Sequence, residues 1–284
     1  MTFHRLCVLY LPSEHAAAWR SAVSAAAHAA GWRVVNLVAD EPAPDHDKDT
    51  LINIGDVDLA RLCEPAACLI LAGDPDEAAR SLQGPHSLDR DAALRVVARQ
   101  YAVAAALAGS GWTVAQIQGR QTNIPGLGEV TREGASPPIE REPPGPIGFY
   151  RTVPPRQGVS VEWPLDLLLR HELGETSRDP SDLTGRRRLL RYGPFIELSP
   201  GLWTADLTFD LRIDRARVEL RFEWGTMHDV AVATDLITTS GRYSVSLSKV
   251  WTEPAVSELR IWLDRAVFDG HMDLVSCQVS FTPG

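Results

Sequence analysis

Residues 202–211, LWTADLTFDL, alternate between apolar and polar side chains from Trp203 onward. Residues 217–224, RVELRFEW, repeat the alternation. Because successive side chains of a strand point to opposite faces, each stretch predicts a strand with one buried face. Further short strands fit residues 230–234, 243–247, 258–263 and 273–281. So many short strands joined by turns predict an antiparallel β-sandwich of jelly-roll type over residues 182–284.

The N-terminal part of the chain has a different pattern. Apolar runs that suit strands occur at residues 5–11, 32–39, 50–55 and 67–72, and residues 13–30 form an Ala-rich helical stretch. Continuously apolar strands that alternate with helices are typical of a parallel sheet covered on both faces. Residues 1–118 therefore predict a Rossmann-like α/β domain.

Residues 119–181 lie between these two predicted domains. Their first part is dense in proline and glycine and has no sustained period. Such composition is typical of a linker or a long surface loop. A short helical patch is expected at residues 164–173, before the sandwich domain begins.

The length and composition of the chain limit the classes of function that it can have. The 284 residues suit two domains at roughly 150 residues each. The formal net charge of −9 argues against nucleic acid as a partner. The longest apolar run, 102–108, is far shorter than the roughly 20 residues of a membrane span, so we predict none.

The four cysteines bear on location and metal binding. They are scattered and include no CxxC pair. Reduced thiols and a cytoplasmic location are expected, with no zinc site and no cofactor. The acidic residues 40–49 contain an Asp45-x-Asp47 pair, which we interpret as a solvated loop rather than a metal site.

A first candidate ligand site lies in the α/β domain. Ligands of open α/β sheets bind beyond the carboxyl ends of the strands. The residues that follow predicted strands there are Ser13, Glu14 and His15, Gly55 and Asp56, and Gly73 and Asp74. From these we select Ser13, Glu14, His15, Gly73 and Asp74. The alternative is that Ser13 and Asp74 only cap helices and that Glu14 only interacts with a helix dipole.

A second candidate site, for a glycan, lies in the sandwich domain. Flat aromatic rings stack on sugars, and Trp251 and Trp262 fall near the polar residues Arg260, Asp264 and His271. These five residues are the predicted glycan-binding set. The alternative is that the rings are buried under the N-terminal domain or at a subunit contact.

Residues 182–203, DLTGRRRLLRYGPFIELSPGLW, carry a family resemblance. The pattern formed by Gly193-Pro194-Phe195, Leu198, Gly201 and Trp203 resembles the opening of a β-sandwich module found in bacterial glycosyltransferases and polysaccharide-biosynthesis proteins. The resemblance extends over residues 182–284 and implies a carbohydrate-related context. It implies no enzyme activity, and the N-terminal half resembles no family that we recognise.

Three functions remain open. The leading hypothesis is a non-catalytic carbohydrate-recognition or accessory protein of bacterial cell-surface polysaccharide biosynthesis. Its ligand would be a glycan or a nucleotide sugar, and its partner a glycosyltransferase or another polysaccharide-assembly protein. The alternative is a nucleotide-sugar-dependent, glycosyltransferase-like enzyme with its site in the α/β domain, although residues 10–15 lack the glycines of a dinucleotide fingerprint. The third is a structural interaction protein that binds no small ligand.

Overall fold

The computed structural model describes residues 5–38, 49–63, 68–83, 88–117, 119–134, 143–170, 179–215 and 217–283. The chain divides into two units. The α/β unit comprises Met1–Pro144 and Tyr150–Pro155. The sandwich unit comprises Gly145–Phe149 and Arg156–Gly284. Among the described residues, no helix is both long and apolar enough to cross a membrane.

The α/β unit contains a parallel sheet, as its apolar runs predict. The elements are β1 (Arg5–Tyr10), α1 (Ala16–Ala29), β2 (Arg33–Asn36), β3 (Thr50–Ile54), α2 (Val57–Ala60), β4 (Cys68–Ala72), α3 (Pro75–Gln83), α4 (Arg90–Gly109), β5 (Thr113–Gln116), β6 (Gln121–Ile124) and β7 (Gly128–Thr131). The sheet has the order β2-β3-β1-β4-β5, and all its neighbouring strands are parallel.

The core of this unit forms because β3 and β4 are buried along their whole length and β1 along nearly all of it. Leu6 and Val8 of β1 share a cluster with Trp19 and Val23 of α1. Each such side chain contributes about 1.5–3 kcal/mol when fully buried. Helix α1 is therefore held on the sheet by its apolar side chains.

A buried polar network lies beneath α1. The Tyr10 hydroxyl donates to Asn53 Oδ1 at 2.9 Å, and Asn53 Nδ2 donates to Ser24 Oγ and Asn36 Oδ1, both at 3.1 Å. The Asn53 side chain is thus fully paired in the middle of the sheet, as a buried amide requires.

The expected linker, residues 119–181, contains regular structure where it is described. Strands β6 and β7 form an antiparallel hairpin, and their residues Ile124 and Val130 join the same core cluster as Trp19. The proline and glycine between these strands form the turn of the hairpin. In the described part of the expected helical patch, Leu165–Leu167 form a short 3-10 turn and Leu169–Arg170 a two-residue strand instead of a helix.

The sandwich unit consists of two antiparallel sheets. Its strands are β8 (Ser160–Glu162), β9 (Leu169–Arg170), β10 (Ser181–Asp182), β11 (Arg188–Leu198), β12 (Gly201–Arg212), β13 (Val218–Gly225), β14 (Val230–Ile237), β15 (Gly241–Trp251), β16 (Ala255–Leu263) and β17 (His271–Thr282). The β12 sheet has the order β10-β17-β12-β15, with β8 also paired to β17. The β13 sheet has the order β14-β13-β16-β11-β9.

The alternation predicted for residues 202–211 and 217–224 is confirmed. Trp203, Phe209 and Phe222 are buried, and the rings of Phe209 and Phe222 lie 5.3 Å apart between the two sheets. One residue differs from the prediction: Glu223, expected outside, is buried, at 6% exposure. It belongs to an ion-pair network described below.

The glycines of the 182–203 motif have a steric reason. Gly193 and Gly201 both have positive φ, of 119° and 138°. A Cβ on Gly193 would lie 2.9 Å from the Leu167 carbonyl oxygen, and a Cβ on Gly201 only 2.3 Å from Phe281. Both positions therefore require glycine for backbone conformation and for space.

We expect Gly201→Ala to lower the free energy of unfolding by about 1–3 kcal/mol, since it adds backbone strain and displaces the buried Phe281 ring. Urea denaturation of the full chain measures this change. Gly109→Ala is the matched control, because Gly109 ends α4 and a Cβ there meets nothing within 4 Å. Equal stability of the two variants would contradict the steric explanation.

Candidate functional site

Polar side chains of three adjacent strands cover the outer surface of the β12 sheet, and we call this surface the polar face. Pairing of β12 with β15 and β17 places its members side by side. None of these residues is buried. They are Thr204, Asp206, Thr208, Asp210 and Arg212 of β12; Arg242, Ser244, Ser246 and Ser248 of β15; and His271, Asp273, Ser276, Gln278 and Ser280 of β17.

Cross-strand hydrogen bonds order part of the polar face. Hydroxyl pairs join Thr204 to Ser248 at 2.9 Å and Thr208 to Ser244 at 3.2 Å. The Arg242 guanidinium donates two hydrogen bonds of 2.8 Å to the Asp210 carboxylate. These hydrogen bonds hold the pKa of Asp210 below its ordinary value.

A β-bulge in β17 decides which residues reach this face. Thr208 pairs with Ser276, but Phe209 pairs with Leu274, so Val275 is the extra residue. The bulge changes the phase of β17, and Asp273 and His271 consequently lie opposite outward-facing residues of β12. In an uninterrupted register, Asp273 would point toward the core.

An open pocket lies at this end of the polar face. Its volume is about 360 Å³, and its lining residues are Pro180, Asp210, Arg212, His271 and Asp273. It combines carboxylate acceptors with guanidinium and imidazole donors. This arrangement can bind a small polar molecule, or one unit of a polar chain, by hydrogen bonds.

The wall that carries Pro180 is fixed by a buried arginine. Arg191 is 3% exposed and donates to the Asp179 carbonyl at 2.6 Å and to Ser181 Oγ at 3.2 Å. Desolvation lowers its pKa. Beside this wall, the backbone N–H of Thr184 donates to Asp182 at 2.8 Å and lowers the pKa of that carboxyl. The pocket wall is therefore held by groups that do not line it.

The predicted glycan-binding set does not come together. His271 lines the pocket, whereas Arg260 and Trp262 lie on β16 of the other sheet and Asp264 directly follows that strand. Trp251 is buried at 4% exposure, with its ring 6.2 Å from Trp224. It presents no free ring face for stacking, so its predicted role as a sugar platform is corrected to a core role.

Trp262 takes part in an ion-pair network on the β13 sheet. Its indole N–H donates to Glu223 at 3.0 Å, and the Arg221 guanidinium lies 5.2 Å from the ring centre. Arg221 also binds Asp264 at 2.8 Å, and Arg260 lies 3.4 Å from Glu223. The hydrogen bond from Trp262 and the ion pairs with Arg221 and Arg260 compensate for the burial of Glu223.

In the α/β unit, the predicted residues do come together. Strands β1 and β4 are neighbours, so Ser13 and Gly73 meet at their carboxyl ends. A Cβ on Gly73 would lie 3.1 Å from Ser13 Cβ. The Tyr101 hydroxyl donates to the Gly73 carbonyl at 3.1 Å. Burial raises the pKa of Tyr101.

Asp74 caps a helix, as the alternative interpretation proposes. Its side chain accepts from the backbone N–H groups of Asp76 at 2.9 Å and Glu77 at 3.1 Å. It also forms an ion pair of 3.1 Å with Arg151. At the start of α1, however, the N-cap is His15 rather than Ser13, and it forms no side-chain capping bond.

Glu14, His15 and Glu77 form a cluster that could hold a metal ion. Their ligating atoms all lie within 4.8 Å of one another. Burial raises the pKa of Glu77, and a hydrogen bond with Glu14 adds to the rise. Carboxylate and imidazole groups are the usual ligands of several divalent cations. From the sequence, no metal site is predicted at these three residues. The Asp45-x-Asp47 pair, interpreted from the sequence as a solvated loop, lies outside the described residues.

No protein-family model matches the chain, and no curated protein matches it. Among solved structures, it is similar to the CBM22-1 xylan-binding domain of Xyn10C from Paenibacillus barcinonensis, at 13% identity over 36% of this chain and 70% of that chain, with a TM-score of 0.26. The C-terminal domain of EclA, a sugar-binding protein, matches at 12% identity over 49% and 89% of the two chains, with a TM-score of 0.26.

Dimeric latent PorU from Porphyromonas gingivalis matches at 11% identity with a TM-score of 0.28. The match covers 45% of this chain but only 13% of that chain. All three TM-scores are below 0.5, so these likenesses carry no weight for function.

We expect Asp74→Ala to lower the free energy of unfolding by about 1 kcal/mol, because two N-terminal N–H groups of α3 lose their acceptor. Asp74→Asn keeps an acceptor oxygen and should be closer to the wild type in urea denaturation. An alanine variant as stable as the wild type would show that the cap contributes nothing.

Proposed function

We propose that the sandwich unit is a carbohydrate-binding module and that its polar face binds the glycan. The observation that carries this proposal is the row of hydroxyl, amide and carboxylate groups that runs across β15, β12 and β17 and ends in a pocket of about 360 Å³. Sugars present many hydroxyl groups, each of which both donates and accepts hydrogen bonds. A face of this kind matches that chemistry along an extended chain.

The shape of the polar face favours a chain over a compact ligand. Three adjacent strands supply its side chains, and the pocket lies at one end of it. One sugar unit would occupy the pocket and the following units would lie over the hydroxyl pairs. Such a site works through several modest hydrogen bonds, each contributing about 0.5–1.5 kcal/mol.

The biological setting is a further part of the proposal. Residues 182–203 resemble the opening of a module of glycosyltransferases and polysaccharide-biosynthesis proteins, and this resemblance supports a jelly-roll module that assists polysaccharide assembly. We propose a cytoplasmic location on a separate ground, because the scattered cysteines favour reduced thiols. In that setting the module would hold a glycan for a glycosyltransferase partner. The proposal assigns no catalytic step to the chain.

A glycan panel tests this function. Isothermal titration calorimetry of the full chain against neutral, acidic and amino oligosaccharides should show binding of at least one class. The double variant Asp206→Ala, Gln278→Ala removes two opposed groups from the middle of the polar face. We expect it to weaken binding by about tenfold or more, since a hydrogen bond to a charged group contributes about 1.5–3 kcal/mol.

Two controls make this test specific. Asp235→Ala changes an exposed aspartate on β14 of the other sheet and should leave the affinity unchanged. Trp262→Ala tests the site predicted from sequence. If binding is lost in Trp262→Ala but kept in the double variant, the glycan binds the β13 sheet and our assignment of the polar face is wrong. Absence of binding by any oligosaccharide would refute the proposed function.

A further inference from the structure

The carboxylates of the pocket already have cationic partners. The Asp210 carboxylate accepts hydrogen bonds of 2.8 Å from Nε and from one terminal nitrogen of Arg242. Asp273 interacts electrostatically with the buried guanidinium of Arg191. The negative charge of Asp210 is therefore balanced by Arg242, and Asp273 interacts with Arg191 without a direct ion pair among the described residues.

The basic groups of the pocket are different. Arg212 and His271 lie directly opposite each other on β12 and β17, and both are exposed. Among the described residues, neither side chain donates a hydrogen bond or forms an ion pair within 4.0 Å. Arg212 interacts electrostatically with Asp210, and His271 with Asp182, but these two carboxylates take their hydrogen bonds from Arg242 and from the Thr184 backbone.

We infer that the pocket binds the carboxylate of an acidic sugar, with Arg212 as its ion-pair partner and His271 as a second hydrogen-bond donor. This inference rests on the proposed glycan-binding function and names the class of glycan. It follows from the charges of the lining, because the donors not engaged by the protein are a guanidinium and an imidazole.

The chemistry of the two donors fits a carboxylate. A guanidinium presents parallel N–H groups whose spacing matches the two oxygens of a carboxylate, and such charge-assisted pairs are about twice as strong as neutral hydrogen bonds. An imidazole donates one N–H in either tautomer. The remaining polar face offers hydroxyl and amide groups, which suit the neutral hydroxyls of the same sugar chain.

A matched pair of ligands tests the inference. We would titrate the full chain with a uronic-acid oligosaccharide and with the same oligosaccharide after reduction of its carboxyl groups to alcohols. We expect the acidic form to bind wild type at least about tenfold more tightly, and added salt to reduce this preference because exposed charges are screened. Arg212→Gln should abolish the preference, because it weakens binding of the acidic form far more than binding of the reduced form.

Two control variants separate charge from geometry. Arg217→Gln removes an exposed arginine outside the pocket and should keep the preference, which excludes an effect of net charge alone. Arg212→Lys keeps the charge but not the paired N–H geometry, so it should keep only part of the preference.

The outcomes distinguish this inference from the proposed function. Equal affinity of wild type for both forms overturns the inference and leaves glycan binding intact. A preference for the acidic form that survives Arg212→Gln places the carboxylate elsewhere and also overturns it. If neither these ligands nor any other oligosaccharide of the panel binds, the proposed function itself fails.

Discussion

The fold of the sandwich unit depends on β12, whose alternate side chains must be apolar toward the core and polar toward solvent. Strand β12 pairs with β15 on one side and β17 on the other, and its alternate side chains face the core or the solvent. Trp203 and Phe209 fix the inward phase because both are buried among other rings. A shift of one residue would expose these rings and bury aspartates, so the packing of the core also sets the composition of the polar face.

The pocket also depends on the phase of β17, because outward-facing residues of both β12 and β17 line it. Residues 276–282 of β17 pair in one register with β12, and Phe281 packs there against Trp203. The bulge at Val275 gives residues 271–274 the opposite phase. Cys277 and Val279 stay inside on one side of the bulge, and Met272 stays inside on the other. The strand thereby keeps apolar residues in the core along its full length and still places polar groups beside Arg212.

Much of the fold can be predicted from the chain alone, because periodicity is local. The alternation at 202–211 and the apolar runs at 5–11 and 67–72 predict strands that the structure contains. Residues 119–134 show where such prediction ends. Their proline and glycine suggest a linker, whereas two short strands bury Ile124 and Val130, and only tertiary packing on α1 makes that burial possible.

The candidate sites were predictable to different degrees. Ser13 and Gly73 meet because strand ends of a parallel sheet share an edge, which is a rule of the fold. Glu77 lies only three residues after Asp74, in the first turn of α3, so its place at that edge follows from local sequence once the helix is recognised. Arg151 was missed because no local pattern brings it to Asp74. In the sandwich, Trp262 and His271 lie nine residues apart but on different sheets, so closeness in sequence was misleading.

The path of the chain between its two units limits how this protein can be divided. Residues Gly145–Phe149 belong to the sandwich unit, Tyr150–Pro155 to the α/β unit, and the rest of the chain to the sandwich unit again. Phe149 packs against Trp203 at 4.8 Å, and Tyr150 lies 6.1 Å from Tyr101. Adjacent residues thus anchor different cores. A single cut in the chain therefore does not divide it into these two units.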